Sequence, residues 1–214
     1  ALAAKGAQVA PHLSFGNDSK DSIAALLHQY KDAGIDRLVA LRGDAPSGMT
    51  GTRGMSHASD LVAFIRQETQ QHFHIEVAAY PEVHPESTSV ESDINYFKLK
   101  MDAGANSAIT QYFYNADAYF RFQDNCAAVG LSAQVVPGIM PITNLEGLVR
   151  FSNNCGAEIP RWVLKHLQRY ADDQQALQAF GEEVVTALCE KLLQGGAPGL
   201  HFYTLNRSKP SERI

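Results

Sequence analysis

The feature that most narrows the fold is an alternation running through the chain. Short apolar runs of strand character take turns with amphipathic helical stretches. The spacing predicts strands over Gln8–Phe15, Arg37–Leu41, Ile75–Tyr80, Ser107–Tyr114, Gln134–Met140 and Leu200–Leu205. These runs are nearly continuous in apolar residues, the pattern of parallel strands buried on both faces. Between them, Ser22–Lys31, Ser59–Glu68, Asp93–Asp102 and Ala116–Ala128 each gather apolar residues on one helical face, and a longer helix is expected over Asp173–Gln194. A faint repeat closes three units: Asp32-Ala33-Gly34-Ile35, Asp102-Ala103-Gly104-Ala105 and Ala128-Val129-Gly130-Leu131. Each lies between a helix and a strand, where glycine suits the left-handed turn that ends a helix. Such repeated units imply right-handed βαβ crossovers.

Two parallel architectures satisfy that pattern. A doubly wound sheet calls for a glycine-rich phosphate turn after an early strand. Leu41-Arg42-Gly43-Asp44 has one glycine and two charges instead. Polar residues cluster after several different strands, as in a (β/α)8 TIM barrel, whose site is assembled from many βα loops. The expected fold is therefore α/β, a (β/α)8 barrel with about six strands in the sequence, forming one catalytic domain over 1–214. The chain opens without Met and directly on its first strand. This reading predicts two further units ahead of it and a final helix beyond Ser208–Ile214.

Bulk properties exclude several classes. The 214 residues are 45% apolar and 19% charged, ordinary for a soluble globular protein. A net charge of −5 argues against nucleic acid, which needs a basic face. No apolar run approaches the roughly 18 residues of a membrane span, and no signal peptide is visible. Cys126, Cys155 and Cys189 are far apart and odd in number, so they read as structural thiols in or at the ends of helices, in a reducing cytoplasm.

The residues just past each strand form the candidate site. The loop Ala78-Ala79-Tyr80-Pro81-Glu82-Val83-His84-Pro85-Glu86 sets an aromatic, an imidazole and two carboxylates between prolines, which stiffen it. Glu82 and Glu86 either act there or cap the following helix. His12 lies within the first strand, as a core histidine or a ligand. Arg42 and Asp44 are a rim ion pair or a functional pair. Gln111 sits among aromatics, where a buried amide needs partners. Pro137-Gly138-Ile139-Met140-Pro141 closes the fifth strand, and His201, Tyr203, Asn206 and Arg207 lie on and after the sixth. His72 and His74 read as solvated. The histidines lack three-ligand metal spacing, and neither Gly-x-Ser-x-Gly nor Ser-x-x-Lys occurs. Hydrogen-bonding side chains, aromatic faces and the cations Arg42, Lys100 and Arg207 suit a flat heteroaromatic ligand carrying phosphates.

Eight stretches, in order, resemble methylenetetrahydrofolate reductases of the bacterial type. They are Ala10-Pro11-His12-Leu13, Val39–Asp44, His57-Ala58-Ser59-Asp60-Leu61, Ala78–Glu86, Lys100–Ala105, Ala108-Ile109-Thr110-Gln111, Pro137–Pro141 and His201–Arg207. The resemblance implies a barrel that holds FAD non-covalently. It also implies a two-stage relay, in which NADH or NADPH reduces the flavin and methylenetetrahydrofolate then accepts the hydride. By the same resemblance, His12, Arg42, Gly43, Asp44, His57, Ala58, Tyr80, His84, Asp93 and Lys100 would contact FAD. Asp44 would also act catalytically, stabilising the iminium form of the folate and tuning the flavin. Gln111, Phe151 and Arg207, with Asp44, would bind substrate, and a homo-oligomer is expected.

The chain departs from the family pattern at four places. His57 stands where Tyr is frequent, Tyr96 and Leu99 where bacterial relatives can carry Asn and Arg, and Gly147 where a glutamine can contact substrate. The family's general acid is a glutamate on the first strand of the barrel, and no residue here takes that role. Another flavin barrel of the proline dehydrogenase kind, and a catalytically silent barrel piece that binds a ligand or partner, remain alternatives.

Overall fold

The computed structural model describes residues 6–16, 18–43, 55 and 57–214. Among these, six strands are hydrogen-bonded in chain order: β1 (His12–Ser14), β2 (Arg37–Leu41), β3 (His74–Ala79), β4 (Ser107–Tyr112), β5 (Gln134–Ile139) and β6 (His201–Phe202). β1 with β2, β2 with β3 and β5 with β6 pair in parallel. The strand order never reverses, so the sheet has no switch point of the kind a doubly wound fold requires. Sequential parallel order is that of the (β/α)8 class. The fold is α/β, as the alternation predicts.

The helices are α1 (Lys20–Asp32), α2 (Ala58–Thr69), α3 (Val90–Asp102), α4 (Ala116–Ala128), α5 (Leu145–Cys155), α6 (Arg161–Arg169), α7 (Gln174–Gln194) and α8 (Lys209–Glu212). Their starts are encoded locally. The side chains of Ser19, Asn115, Asn144 and Asp173 each accept a backbone N–H from the first turn of the helix that follows. The punctuating glycines behave as expected, with φ of 72° at Gly34, 112° at Gly104 and 71° at Gly130.

Several expectations need correction. α5, α6 and α8 are additional to the helices expected from sequence. α5 buries Leu148 and Ser152, and α6 buries Val163 and Leu167, in each case two residues four apart on one face. β6 spans two residues, not six, because Leu205 and Asn206 turn the chain with φ of 49° and 61°. β1 keeps three of the eight residues expected and leaves His12 exposed, so His12 is no core histidine. β3 alternates between buried and half-buried positions instead of being buried on both faces.

The chain divides into two compact units, Ala1–Ala78 with Asn95–Ala108, and Ala79–Ile94 with Ile109–Ile214. In the first, the core is Leu27, Leu38, Leu61, Ile65 and Ile75 among others, all fully buried. Arg66 on α2 is its polar node. Its guanidinium donates to Gly104 O at 2.9 Å, Gln70 O at 3.0 Å, Phe73 O at 2.8 Å and Asn106 Oδ1 at 2.6 Å. His72 and His74 are half-buried and bonded rather than simply solvated: His72 Nε2 lies 3.0 Å from Ile35 O, and His74 Nε2 lies 2.8 Å from Ser107 Oγ. Burial holds the His74 imidazolium below its ordinary range, with Arg37 adding to the effect.

In the second unit, Tyr119, Phe113, Ile139 and Leu177 are buried in the core. A buried polar network joins its strands. Thr110 on β4 is fully buried, its Oγ1 accepts Gly138 N–H at 2.8 Å, and its carbonyl accepts Tyr203 O–H at 2.8 Å. A Cβ at Gly138 would collide with Thr110 O and sit 2.7 Å from Tyr203 Cε2. That close approach is why glycine follows Pro137 on β5.

Candidate functional site

In the first unit, the expected residues lie at and beyond the strand ends. His12 is on β1, and Arg42 and Gly43 directly follow β2, both half-buried. Gly43 has φ 77°, and a Cβ there would stand 3.0 Å from Ser14 Cβ, so this backbone stays bare. Asp44 lies outside the described residues. Lys100, near the end of α3, donates from Nζ to Ala78 O at 2.6 Å and lies 5.6 Å from the Phe97 ring centroid. Its ammonium is thereby held at the C-terminal end of β3.

His57 precedes α2, where its backbone N–H donates to Asp60 Oδ2 at 2.9 Å. Ala58 opens the helix, half-buried. The exposed His57 ring stacks on Tyr96, with centroids 6.0 Å apart and 15° between planes. Two departures from the family pattern therefore form one contact.

In the second unit, the loop after β3 is built from two successive turns. Val83 N–H donates to Tyr80 O and Ser87 N–H to His84 O. Tyr80 and His84 meet edge to face with centroids 4.5 Å apart. Glu86 N–H donates to His84 Nδ1 at 3.0 Å, which leaves Nε2 as the proton-bearing nitrogen of the neutral ring. Asp93, 8% exposed, accepts Ser87 Oγ–H at 2.9 Å, so it also anchors this loop.

Glu82 does not cap α3. Its Oε2 accepts the backbone N–H of Glu158, ahead of α6, at 2.8 Å. Burial pushes the Glu82 carboxyl above its ordinary range, against the pull of that N–H.

Gln111 is half-buried on β4, and its Oε1 accepts its neighbour Tyr112 N–H at 3.0 Å. It lines a small cavity with Tyr80, Glu82, Tyr112 and Cys155. The Tyr112 hydroxyl meets Ser152 Oγ at 3.1 Å, and burial lifts the Tyr112 phenol well above the usual range.

Phe151 and Arg207 both line a cleft of about 420 Å3 with Met140, Gly147, Arg150 and Tyr203. Arg150 lies 5.5 Å from the Phe151 ring centroid, and Phe151 is 39% exposed, leaving area for another ring. A second cleft of about 430 Å3 shares Arg207 and adds Lys209 and Arg213. Aromatic faces beside guanidinium groups suit a flat ligand with acidic substituents. Gly147 has its own reason here: its N–H donates to the Asn144 cap at 2.6 Å, and a Cβ would stand 2.7 Å from Asn144 Oδ1.

The structure thus gathers Tyr80, His84 and Asp93 on one loop and its helix, and Phe151 with Arg207 at one cleft. Arg150 and the Glu82 to Glu158 bond have no counterpart among the sequence-based candidates, whereas Tyr203, a candidate by its place after the sixth strand, gains a partner in Thr110 O. Tyr203 carries a signal, standing in a dense polar–aromatic run at a strand end. The Glu82 bond carries none, since its partner is a backbone amide 76 positions away. Among the described residues no group of three or more potential ligands could hold a metal ion.

The family model for methylenetetrahydrofolate reductase matches residues 1–214. The 5,10-methylenetetrahydrofolate reductase of Escherichia coli K12 is 38% identical over 209 residues, covering 98% of this chain and 69% of that protein. The enzyme of the same name from Buchnera aphidicola subsp. Schizaphis graminum is 39% identical over 203 residues, covering 95% and 68%. A Clostridium thermocellum protein, described as binding two copies of 5-methyl-5,6,7,8-tetrahydrofolic acid, superposes with a TM-score of 0.60 at 20% identity, covering 94% and 68%, a likeness of fold.

Proposed function

We propose that this chain, which belongs to the methylenetetrahydrofolate reductase family of oxidoreductases, reduces 5,10-methylenetetrahydrofolate to 5-methyltetrahydrofolate with NADH or NADPH, through FAD and in two separate half-reactions. The observation that carries the reading is the family match across all 214 residues. When bound, FAD supplies the two-electron carrier that takes hydride from the dinucleotide and delivers it to the folate.

The residues present fit such a cofactor. In the first unit the bare backbone at Gly43, with Arg42 beside it and the Lys100 ammonium, suits an anionic diphosphate. His12, His57 and Ala58 belong to the same proposed contact set. In the second unit the Tyr80 and His84 pair offers an aromatic face and an N–H donor to the ring system, with Asp93 bracing the loop.

Phe151, with its open face, would stack on the nicotinamide or the folate ring. Arg207 would pair with a substrate carboxylate and Gln111 with the polar edge of the pterin. Asp44 would stabilise the cationic folate by charge.

The test is anaerobic. The chain loaded with FAD should lose its flavin absorbance with NADH or NADPH and not with proline. Asp44→Asn should still bleach, with a shifted flavin potential, yet reoxidise with methylenetetrahydrofolate at least about tenfold more slowly. Bleaching by proline in place of the dinucleotide would point to the proline dehydrogenase alternative. A chain that takes up no FAD would remove the flavin reading.

A further inference from the structure

The loop 80–87 holds a conformation that its own sequence does not favour. Val83 has φ 72°, costly for a β-branched residue, and such a backbone persists only where the surroundings enforce it. Inside the loop a long turn bond, Val83 N–H to Tyr80 O at 3.3 Å, restrains that residue directly. The stronger restraint comes from the turn that ends α5. There Glu158 N–H donates to Glu82 Oε2 at 2.8 Å, and Gly156, with φ 75°, nests so closely that a Cβ would stand 2.9 Å from Pro85 Cγ. A carboxylate resists burial unless it is hydrogen-bonded, so this one needs its partner. The charges facing it are opposed, with the Glu158 carboxylate against it and Arg121 in its favour, and the Glu158 amide is its hydrogen-bond donor.

We propose that Glu82 is a positioning residue: by holding the Glu158 amide it fixes the strained loop that presents Tyr80 and His84 to the cofactor. The proposal rests on the flavin reading above. The acceptor oxygen carries the role, because the contact is to a neutral N–H. Glutamine keeps that oxygen, and methionine keeps the shape without it.

The experiment measures two things on the full chain: amide exchange across 156–160 and FAD dissociation by fluorescence quenching. They are compared in wild type, Glu82→Gln and Glu82→Met, with circular dichroism confirming the fold. The Glu158 amide should be protected in wild type and in Glu82→Gln, and unprotected in Glu82→Met. The FAD Kd should stay within about twofold in Glu82→Gln and rise about tenfold in Glu82→Met. A wild-type Glu158 amide exchanging at the unprotected rate overturns the proposal without any variant. So does an unchanged Kd in Glu82→Met, or a Glu82→Gln as weak as Glu82→Met. Wild type that takes no FAD while its Glu158 amide is protected marks failure of the flavin reading rather than of the tether.

Discussion

At residue scale, the informative positions are those where backbone meets backbone. Gly138 is one: with Thr110 O and Tyr203 Cε2 filling the space a Cβ would need, Gly138→Ala forces strands of the second unit apart. Overpacking of this kind costs about 3 kcal/mol, which a thermal melt should show as a fall in Tm of about 6–12 °C. Tyr203→Phe removes only the bond to Thr110 O and should cost about 1 kcal/mol. An Ala variant as stable as wild type would mean the close approach is not real. The loop holding Tyr80 and His84 is legible in sequence by its side-chain chemistry, and the structure sets the two rings edge to face. Phe151, which only the family resemblance singles out, lines one cleft with Arg207. His72, His74 and Glu82 are misread from sequence because their partners are a carbonyl, a hydroxyl and an amide far along the chain.

At element scale, the first unit turns on Arg66. One guanidinium ties the C-terminal end of α2 to the segment before β3, through Phe73 O, and to the turn before β4, through Gly104 O and Asn106 Oδ1. Arg66→Met leaves these acceptors unmatched and should lower stability by about 3 kcal/mol. Arg66→Lys should recover less than half of that, since an ammonium cannot reproduce the planar fork. Chemical denaturation of the three proteins decides it, and equal stability of Lys and Arg would count against the node. Elements with wide apolar faces are readable from the amino-acid pattern alone. β2 and α4 match their expected bounds to the residue. α5 and α6, of 11 and 9 residues, go unread although each buries two residues four apart, because one helix between β5 and β6 already satisfies the strand–helix alternation. Strand length is overread where the turning residues Leu205 and Asn206 come directly after the strand-like run Phe202-Tyr203-Thr204.

At the scale of the whole molecule, parallel strands in unreversed chain order and a family match from end to end point to one reading. The alternation of runs and the glycine repeat give parallel βαβ units, and the polar residues spread over several strand ends select the sequential order of a barrel. The family follows from eight ordered stretches, none of them decisive alone. The most direct test is the second half-reaction. FAD-loaded chain is reduced anaerobically with a stoichiometric amount of NADH or NADPH, then mixed with methylenetetrahydrofolate while flavin absorbance and folate products are followed. The account predicts full return of the oxidised spectrum, with one 5-methyltetrahydrofolate formed per flavin. A flavin that stays bleached, with the folate unchanged, would contradict it.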